Sequence, residues 1–99
     1  MPYRIEFSPD VLEHLKMLRV RQRMIVLNGI DEQLKYEPTV ETRNRKPLRP
    51  NSLATWEIRI SNLRVYYDVE DEPEKVVYIR AVGVKNRNQV RIEGEVTEL

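Results

Sequence analysis

The residues best placed to do chemistry in this chain are basic side chains on alternating positions of strand-like segments. Between Arg43 and Tyr67 there are six lysines and arginines and one acid, Glu57, and between Arg80 and Arg91 there are four and no acid. The formal net charge of the whole chain is only +1, so acidic residues elsewhere offset this local excess. A basic surface on a near-neutral protein predicts contact with phosphate groups.

A surface of this kind could cleave RNA without a metal ion. The 2′-OH of RNA attacks the adjacent phosphate if a base removes its proton, positive charge stabilises the phosphorane and an acid protonates the leaving 5′ oxygen. Arg59 and Arg64 would stabilise charge, because arginine does not act as a base. The base is then Glu57 or a neutral Lys85, and Lys85 or Tyr66 could be the acid. Glu57 could equally be a strand carboxylate paired with Arg59, so both alternatives stay open here.

Other basic and aromatic residues of the same segments predict RNA contacts. Arginine and lysine donate hydrogen bonds to phosphate, and a tyrosine ring can stack on a base. A single arginine on a sheet is usually only solvated, whereas a merely solvated face typically mixes both signs of charge. The basic residues before position 50 could instead pair with acids on the helices. The predicted RNA-binding residues are Arg43, Arg45, Lys46, Tyr66, Arg80, Arg87 and Arg91.

The first half of the chain predicts a strand and a helical hairpin. Residues 3–7 alternate apolar and polar side chains, which is typical of a half-buried strand. Ser8-Pro9-Asp10 predicts a helix start with Ser8 as the N-cap and Pro9 at the first position, and the helix should extend to about residue 19. A second helical pattern covers 24–34 and ends before Pro38. The two patterns predict either a hairpin or one bent helix.

The second half predicts an ordered loop over 39–55 and three strands beginning at Trp56, Leu63 and Val76. Strict alternation in the third strand places Ala81 under the helices and Val82 on the opposite face, with a turn or bulge at Gly83. The predicted fold is α+β: an N-terminal strand, a helical hairpin and a three-stranded antiparallel meander, with one face of the sheet open. Residues 1–99 should form a single domain.

Composition argues against several other classes of protein. The chain has no cysteine and a single histidine, His14, which we expect to be on the surface or half-buried. We therefore expect no metal and no cofactor. It has neither a run of about 20 apolar residues nor a signal-peptide pattern, so we expect no membrane partner and a location in the cytoplasm.

The segment WEIRISNLRVYYDV followed by VVYIRAVGVKNR resembles the RelE/ParE superfamily of small toxins from type II toxin–antitoxin pairs. The shared pattern is an aromatic-led strand, a short turn, an Arg-hydrophobic-Tyr strand, and a hydrophobic strand ending in glycine and basic residues. The resemblance covers about residues 40–95 in motif and nearly the whole chain in the order of its elements. It implies the RelE-like fold described above.

The resemblance to RelE-type members implies a metal-independent, ribosome-dependent endoribonuclease that cuts mRNA in the A site and so blocks translation. When the RelE pattern is matched to this chain by position, its two basic strand residues correspond to Glu57 and Arg59. The arginine of the pattern corresponds to Arg64. A further basic residue of the pattern corresponds to Lys85, and a tyrosine of the pattern corresponds to Arg91. Arg64 retains its type and Arg59 and Lys85 retain their charge, whereas Glu57 and Arg91 differ.

The resemblance also implies partners and two alternatives. A cognate antitoxin would cover the basic face with a flexible C-terminal segment, and the substrate would be mRNA on the ribosome. ParE-type members share the fold but inhibit DNA gyrase and are not nucleases. The third reading is a catalytically inactive module that binds nucleic acid or the antitoxin.

Overall fold

The computed structural model describes residues 2–87, 89–92 and, for the backbone, 95–97. The helices are α1 (Pro9–Lys16) and α2 (Val20–Leu34). The strands are β1 (Arg4–Phe7), β2 (Arg45–Pro47), β3 (Trp56–Ile60), β4 (Leu63–Glu70), β5 (Val76–Asn86), β6 (Gln89–Ile92) and β7 (Glu95–Thr97). One sheet has the order β2-β3-β4-β5-β6-β7, with all neighbours antiparallel, and β1 pairs with β5 in parallel.

The predicted α+β class is confirmed, with β1, two helices and the meander β3–β4–β5 in the expected order. Three strands were not predicted. β2 lies inside the predicted loop over 39–55 and pairs with β3. It is three residues long and ends in proline, so it is too short for an alternating pattern to show. β6 and β7 have three or four residues each and were missed for the same reason.

Two separate helices form rather than one bent helix. α1 ends at Lys16, earlier than predicted, and α2 begins at Val20. The guanidinium of Arg23 donates hydrogen bonds to the carbonyl oxygens of Leu15 (3.0 Å) and Leu18 (3.2 Å). Both carbonyls lie at the C-terminal end of α1 or just beyond it, where the helix supplies few further N–H donors, and Leu15 O also accepts from Leu18 N (3.1 Å). Arg23 therefore ties the second helix to the C-terminal end of the first.

Two side chains, at the N-cap and in the last turn of α1, differ from the prediction. Ser8 occupies the N-cap position, but its hydroxyl makes no capping bond and instead donates to the carbonyl of Arg80 (3.4 Å). His14, expected on the surface or half-buried, is only 7% exposed. Both side chains point to β5, so α1 is held against this strand by polar as well as apolar contacts.

The main core lies between the helices and one face of the sheet. α2 crosses β3 closely at Gly29, where an added Cβ would lie 2.7 Å from Ile60 Cδ1 and 2.9 Å from Ile60 Cγ2. The core residues are Val11, Leu15, Leu18, Val26, Ile30, Leu34, Ile58, Leu63, Val65, Tyr67, Val77, Ile79 and Val82. Close helix-to-sheet contact is thus what requires glycine in the middle of α2.

A β-bulge in β5 corrects the predicted alternation. Tyr66 pairs with Ala81 and Tyr67 pairs with Ile79, so Arg80 is an extra residue without a partner in β4. An inserted residue reverses the faces of all positions that follow it. Val82 therefore joins the main core and Ala81 lies on the opposite face with Tyr66, contrary to the prediction for both. Sequence periodicity cannot locate such an insertion.

The face away from the helices is partly covered. Ala54, Tyr66 and Ala81 are buried there, and Leu48, Leu53, Val90 and Ile92 pack on them. Gly83 is not the end of a strand, as predicted, but lies within β5. An added Cβ at Gly83 would lie 2.7 Å from Val90 Cγ1 and 2.9 Å from the carbonyl oxygen of Arg91. The missing side chain of Gly83 lets β6 lie against this part of the sheet.

We predict that Gly29→Ala lowers the free energy of unfolding, although alanine is the better helix former by about 1 kcal/mol. The new methyl group would overlap Ile60, and overpacking typically costs about 1–3 kcal/mol. We expect a net loss of about 1 kcal/mol in urea unfolding. Ile60→Val removes the nearest atom, so the double variant should lose less than the two single losses added together. Arg21→Ala, on an exposed position of α2, is the matched control. Strict additivity of Gly29→Ala and Ile60→Val would contradict the close contact.

Candidate nucleic-acid interface

Strand pairing brings most of the predicted catalytic residues together. Across the sheet, Lys46 lies opposite Glu57, Glu57 opposite Tyr66, and Arg59 opposite Arg64. Directly opposite residues have Cβ atoms about 4.5–5.5 Å apart. These side chains form two adjacent rows on the face away from the helices.

Lys85 reaches the same face because of the bulge. Without the extra residue Arg80, alternation from Val77 and Ile79 would direct Lys85 toward the helices. With it, Lys85 follows Ala81 and Gly83 on the other face, and its backbone N–H donates to Asn62 O (2.8 Å) in the β3–β4 turn. We call Lys46, Arg59, Arg64 and Lys85 the basic patch, with Glu57 as its carboxylate.

Glu57 is enclosed and ion-paired. Its side chain is 12% exposed, and its Oε1 lies 3.7 Å from Arg59 Nε. Arg59 Nε is buried and makes no hydrogen bond among the described residues, so this contact is mainly electrostatic. The ion pair between Glu57 and Arg59, one of the two alternatives that the sequence left open, is therefore present in the structure.

Arg64 has a structural as well as an electrostatic place in the patch. It is 9% exposed, and its Nη1 donates to Ser61 O (3.1 Å) and Leu63 O (2.9 Å). Ser61 has a φ of 57°, so the turn between β3 and β4 is in the left-handed region. Burial lowers the pKa of Arg64, and the nearby charge of Arg59 acts in the same direction. Arg64 still remains charged at neutral pH, because the ordinary value for arginine is so high.

Tyr66 does not present its ring to a ligand in this structure, contrary to the predicted stacking role. It is fully buried under Leu48 and Leu53 of the preceding loop. Its hydroxyl finds no hydrogen-bond partner among the described residues. Burial raises the pKa of Tyr66, and the negative charge of Glu57 raises it further. A buried phenol of this kind is a poor proton donor to a substrate.

Arg45 is also buried, contrary to the prediction that it faces RNA. It is 5% exposed, and its guanidinium donates to Val40 O (3.1 Å) and Gln33 O (2.7 Å). It pairs with backbone carbonyls rather than with helix acids, the other alternative considered. Its role is to tie the loop before β2 to the end of α2.

Arg80 is exposed but lies outside the basic patch. As the bulge residue it donates from Nε to Asp68 Oδ2 (2.8 Å), and its guanidinium lies 5.2 Å from the ring centre of Tyr78. The hydroxyl of Tyr78 in turn donates to Glu70 (3.4 Å). This half of the face is therefore mixed in charge, and the excess of basic residues expected from the sequence is confined to the other half.

Asp68 connects the bulge to the loop between β2 and β3, residues 48–55, which we call the covering loop because Leu48 and Leu53 pack on the face away from the helices. One carboxylate oxygen accepts from Thr55 N (2.8 Å) and Thr55 Oγ1 (2.7 Å), and the other accepts from Arg80. Burial pushes the pKa of Asp68 up, but the hydrogen bonds from Thr55 and Arg80 outweigh it and hold the pKa below its ordinary value.

The remaining predicted RNA-binding residues are on the surface, in different places. Arg43 is exposed in the loop before β2, and Lys46 is half-buried beside Glu57. Arg87 and Arg91 are exposed and line a cavity of about 470 Å³ with Asn86 and Gln89. Arg91 lies between Val90 and Ile92, which pack on the Tyr66 side, so alternation places it on the other face of β6. It is therefore not part of the basic patch.

Sequence reasoning missed the organiser of the covering loop, Asn51. Its Oδ1 accepts from Leu53 N (2.7 Å) and Ala54 N (3.0 Å), and its Nδ2 donates to Arg49 O (2.6 Å) and Ala54 O (3.0 Å). Side chains of asparagine commonly form such local bonds in turns. The Pro50-Asn51-Ser52 sequence is the signal that could have predicted an ordered turn here.

Comparison with known proteins gives two similar solved structures. A chain of the RelBE2 toxin–antitoxin complex from Mycobacterium tuberculosis is 28% identical, with 86% of this chain and 100% of that chain covered and a TM-score of 0.74. A chain of the archaeal RelE–RelB complex from Pyrococcus horikoshii is 25% identical, with 88% and 99% covered and a TM-score of 0.68. Searches of protein-family models and of curated proteins gave no match.

The fold is the small α+β fold that the two RelE-type complexes contain. The chain is thus RelE-like in fold, as the sequence motif indicated. Neither of the two helices is long and apolar enough to cross a membrane.

We predict that Asp68→Asn lowers the free energy of unfolding by about 1–3 kcal/mol at pH 7, because the hydrogen bonds from Thr55 and Arg80 lose a charged acceptor. The pKa of Asp68 is lowered on folding, so its contribution is complete above the ordinary value near 3.8 and is lost as pH falls through the folded-state value.

The measurement is urea unfolding of both proteins from pH 7 to pH 2.5. The difference between them should be largest at pH 7 and shrink below about pH 4. Glu72→Gln, in the exposed turn after β4, is the control. A difference that stays constant through this range would mean that ionised Asp68 does not stabilise the fold.

Proposed function

We propose that this chain is the toxin of a toxin–antitoxin pair and that it blocks translation by cutting mRNA on the ribosome. The observation that carries this proposal is that Arg59, Arg64 and Lys85 lie on the same face of the sheet as Glu57, an enclosed carboxylate whose Oε1 is 3.7 Å from Arg59 Nε. The two similar structures, both from RelE-type toxin–antitoxin complexes, support the same reading.

The proposed reaction needs no metal ion. Glu57 accepts the proton of the 2′-OH, the 2′ oxygen attacks phosphorus and the bond from phosphorus to the 5′ oxygen breaks. Lys85, as an ammonium, protonates the leaving oxygen, so the products are a 2′,3′-cyclic phosphate and a 5′-OH. Glu57 is favoured as the base because it is the only carboxylate in the patch. Lys85 is favoured over Tyr66 as the acid because the hydroxyl of Tyr66 is buried.

Arg59 and Arg64 stabilise the charge of the phosphorane in this scheme. Arg64 is fixed by its bonds to the β3–β4 turn, so its position costs little reorganisation during the reaction. Arg59 balances Glu57 in the free protein and turns to phosphate when RNA binds. Arg43, Lys46 and Arg87 bind neighbouring phosphates, so binding should weaken steeply with salt. We place the protein in the cytoplasm, where its ribosomal substrate is.

The proposed antitoxin would cover the patch rather than extend the sheet at β2. The outward-facing backbone groups of β2 are already used, because Arg45 N and O pair with Thr42 O (3.3 Å) and Thr42 N (2.8 Å). Pro47 has no N–H to offer. An acidic and partly apolar segment lying across Arg59, Arg64 and Lys85 would satisfy the charge of the patch.

One observation favours the alternatives, a gyrase-directed ParE-like toxin or an inactive binding module. Glu57 stands where the RelE pattern has a basic residue, and it neutralises part of the charge of Arg59. The position of Arg91 outside the patch also favours these alternatives, because the RelE pattern has a tyrosine there. Cleavage and supercoiling assays separate these readings.

We predict cuts at A-site positions when a reporter mRNA is translated in a reconstituted system with this protein and is mapped by primer extension. Omitting ribosomes should abolish them. Lys85→Ala and Glu57→Gln should each lower the rate at least about 100-fold, because each removes a proton-transfer group. Arg21→Ala, on the exposed face of α2, should cut normally.

Arg64→Lys is preferable to Arg64→Ala in the same assay, since the alanine variant would also release the β3–β4 turn. An uncut message with a folded protein would reject the nuclease. Inhibition of gyrase supercoiling would then support the ParE-like reading, and salt-sensitive RNA binding alone would support the inactive module. Cleavage that Glu57→Gln leaves unchanged would reject Glu57 as the base and leave Lys85 as the candidate.

A further inference from the structure

Among the residues that the structure describes, no strand pairs with one edge of a short segment of β5. β1 pairs with Val76–Ile79, and β6 pairs with Val84–Asn86, but neither is paired with residues 80–83. This gap contains the bulge residue Arg80 and the three residues that follow it. Backbone groups in a buried gap of this kind need partners from elsewhere, because an unpaired buried N–H is costly.

Ser8, the N-cap of α1, and His14 within α1 fill the gap with their side chains. The hydroxyl of Ser8 donates to Arg80 O (3.4 Å), and the backbone N–H of Val82 donates to Nδ1 of His14 (3.2 Å). His14 is 7% exposed and Val82 is 1% exposed, so water has little access to this bond. Ser8 also donates its own backbone N–H to Ile79 O (3.0 Å), which continues the β1 pairing up to the gap.

The bond between Val82 and His14 requires one particular form of the imidazole. Nδ1 can accept only when it carries no proton, so the neutral ring must hold its proton on Nε2. A leucine at this position would supply similar apolar contact but no acceptor. The Val82 N–H would then be buried without a partner.

We propose that His14 is a positioning residue that fixes the bulge register of β5 and thereby holds Lys85 in the basic patch. The bulge directs Lys85 away from the helices, and Val82 lies between Arg80 and Lys85 on the same strand. If Arg80 were drawn back into the regular ladder, every later side chain of β5 would change faces. The His14 bond is compatible only with the bulged register, in which the N–H of Val82 points at α1. The catalytic part of this proposal rests on the proposed function, whereas the register part does not.

The test compares three variants of the full chain by NMR and by mRNA cleavage. His14→Leu removes the acceptor, and His14→Asn retains one, because the side-chain oxygen of asparagine lies near the position of Nδ1. Glu13→Gln, the neighbouring exposed position on α1, is the control. In the unaltered protein, ¹⁵N shifts of the ring should identify the neutral form with its proton on Nε2.

We expect hydrogen exchange of the Val82 amide to be about tenfold faster or more in His14→Leu and close to normal in His14→Asn. In the cleavage assay His14→Leu should lower kcat with little change in KM, and His14→Asn should restore most of it. A purely structural loss would instead lower the folded fraction without changing the kcat of the folded protein.

A ring that carries its proton on Nδ1 overturns the proposal, as does equal Val82 exchange in the leucine and asparagine variants. If His14→Leu does not fold, the ring proton and the His14→Asn exchange still decide the question. If the unaltered protein does not cleave mRNA, the proposed nuclease fails. The NMR measurements still decide whether His14 fixes the register.

Discussion

The extra residue Arg80 in β5 determines which side chains reach each face of the sheet. Before the bulge, Val77 and Ile79 pack under the helices, and after it Val82 does so. The same shift sends Lys85 to the face that carries Arg64. The main core and the basic patch thus depend on one local insertion. Ser8 and His14 of α1 contact the strand at the same place, which couples helix packing to the geometry of the patch.

The face of the sheet away from the helices has two halves, which differ in net charge and in whether the loop before β3 lies over them. Toward the β3–β4 turn, the basic patch has four cations and one carboxylate, Glu57, and so a net positive charge. Around Asp68 and Arg80, acids and bases are matched, and the loop organised by Asn51 lies over Tyr66. The excess of positive over negative charge is therefore confined to the first half, since Arg80 of the second half is paired with Asp68. The accessible basic surface is therefore smaller and better defined than a count of arginines indicates.

Much of the site was predictable because strand pairing follows from local patterns. The alternation of Trp56–Ile60 and of Leu63–Glu70, with a two-residue turn between them, is enough to bring Glu57, Arg59 and Arg64 to one face. The roles of Arg45 and Tyr66 were not predictable, since each was a plausible surface residue until the loop before β3 was placed. Glu57, Arg59 and Arg64 are placed by the pairing of neighbouring strands. Arg45 and Tyr66 are placed by contacts with residues of other elements, such as Gln33 and Leu53.

Four features can be read from the amino-acid sequence: the order of β1, the two helices and the meander β3–β4–β5, the apolar faces of the helices, the family motif and the local excess of basic residues. These features depend on periodicity and on residue type, which are properties of short segments. Tertiary structure alone decided which cations remain accessible, that His14 accepts a backbone hydrogen bond, and that Lys85 joins Arg64. These features depend on an inserted residue in β5 and on packing between distant segments, and neither leaves a periodic signal in the chain.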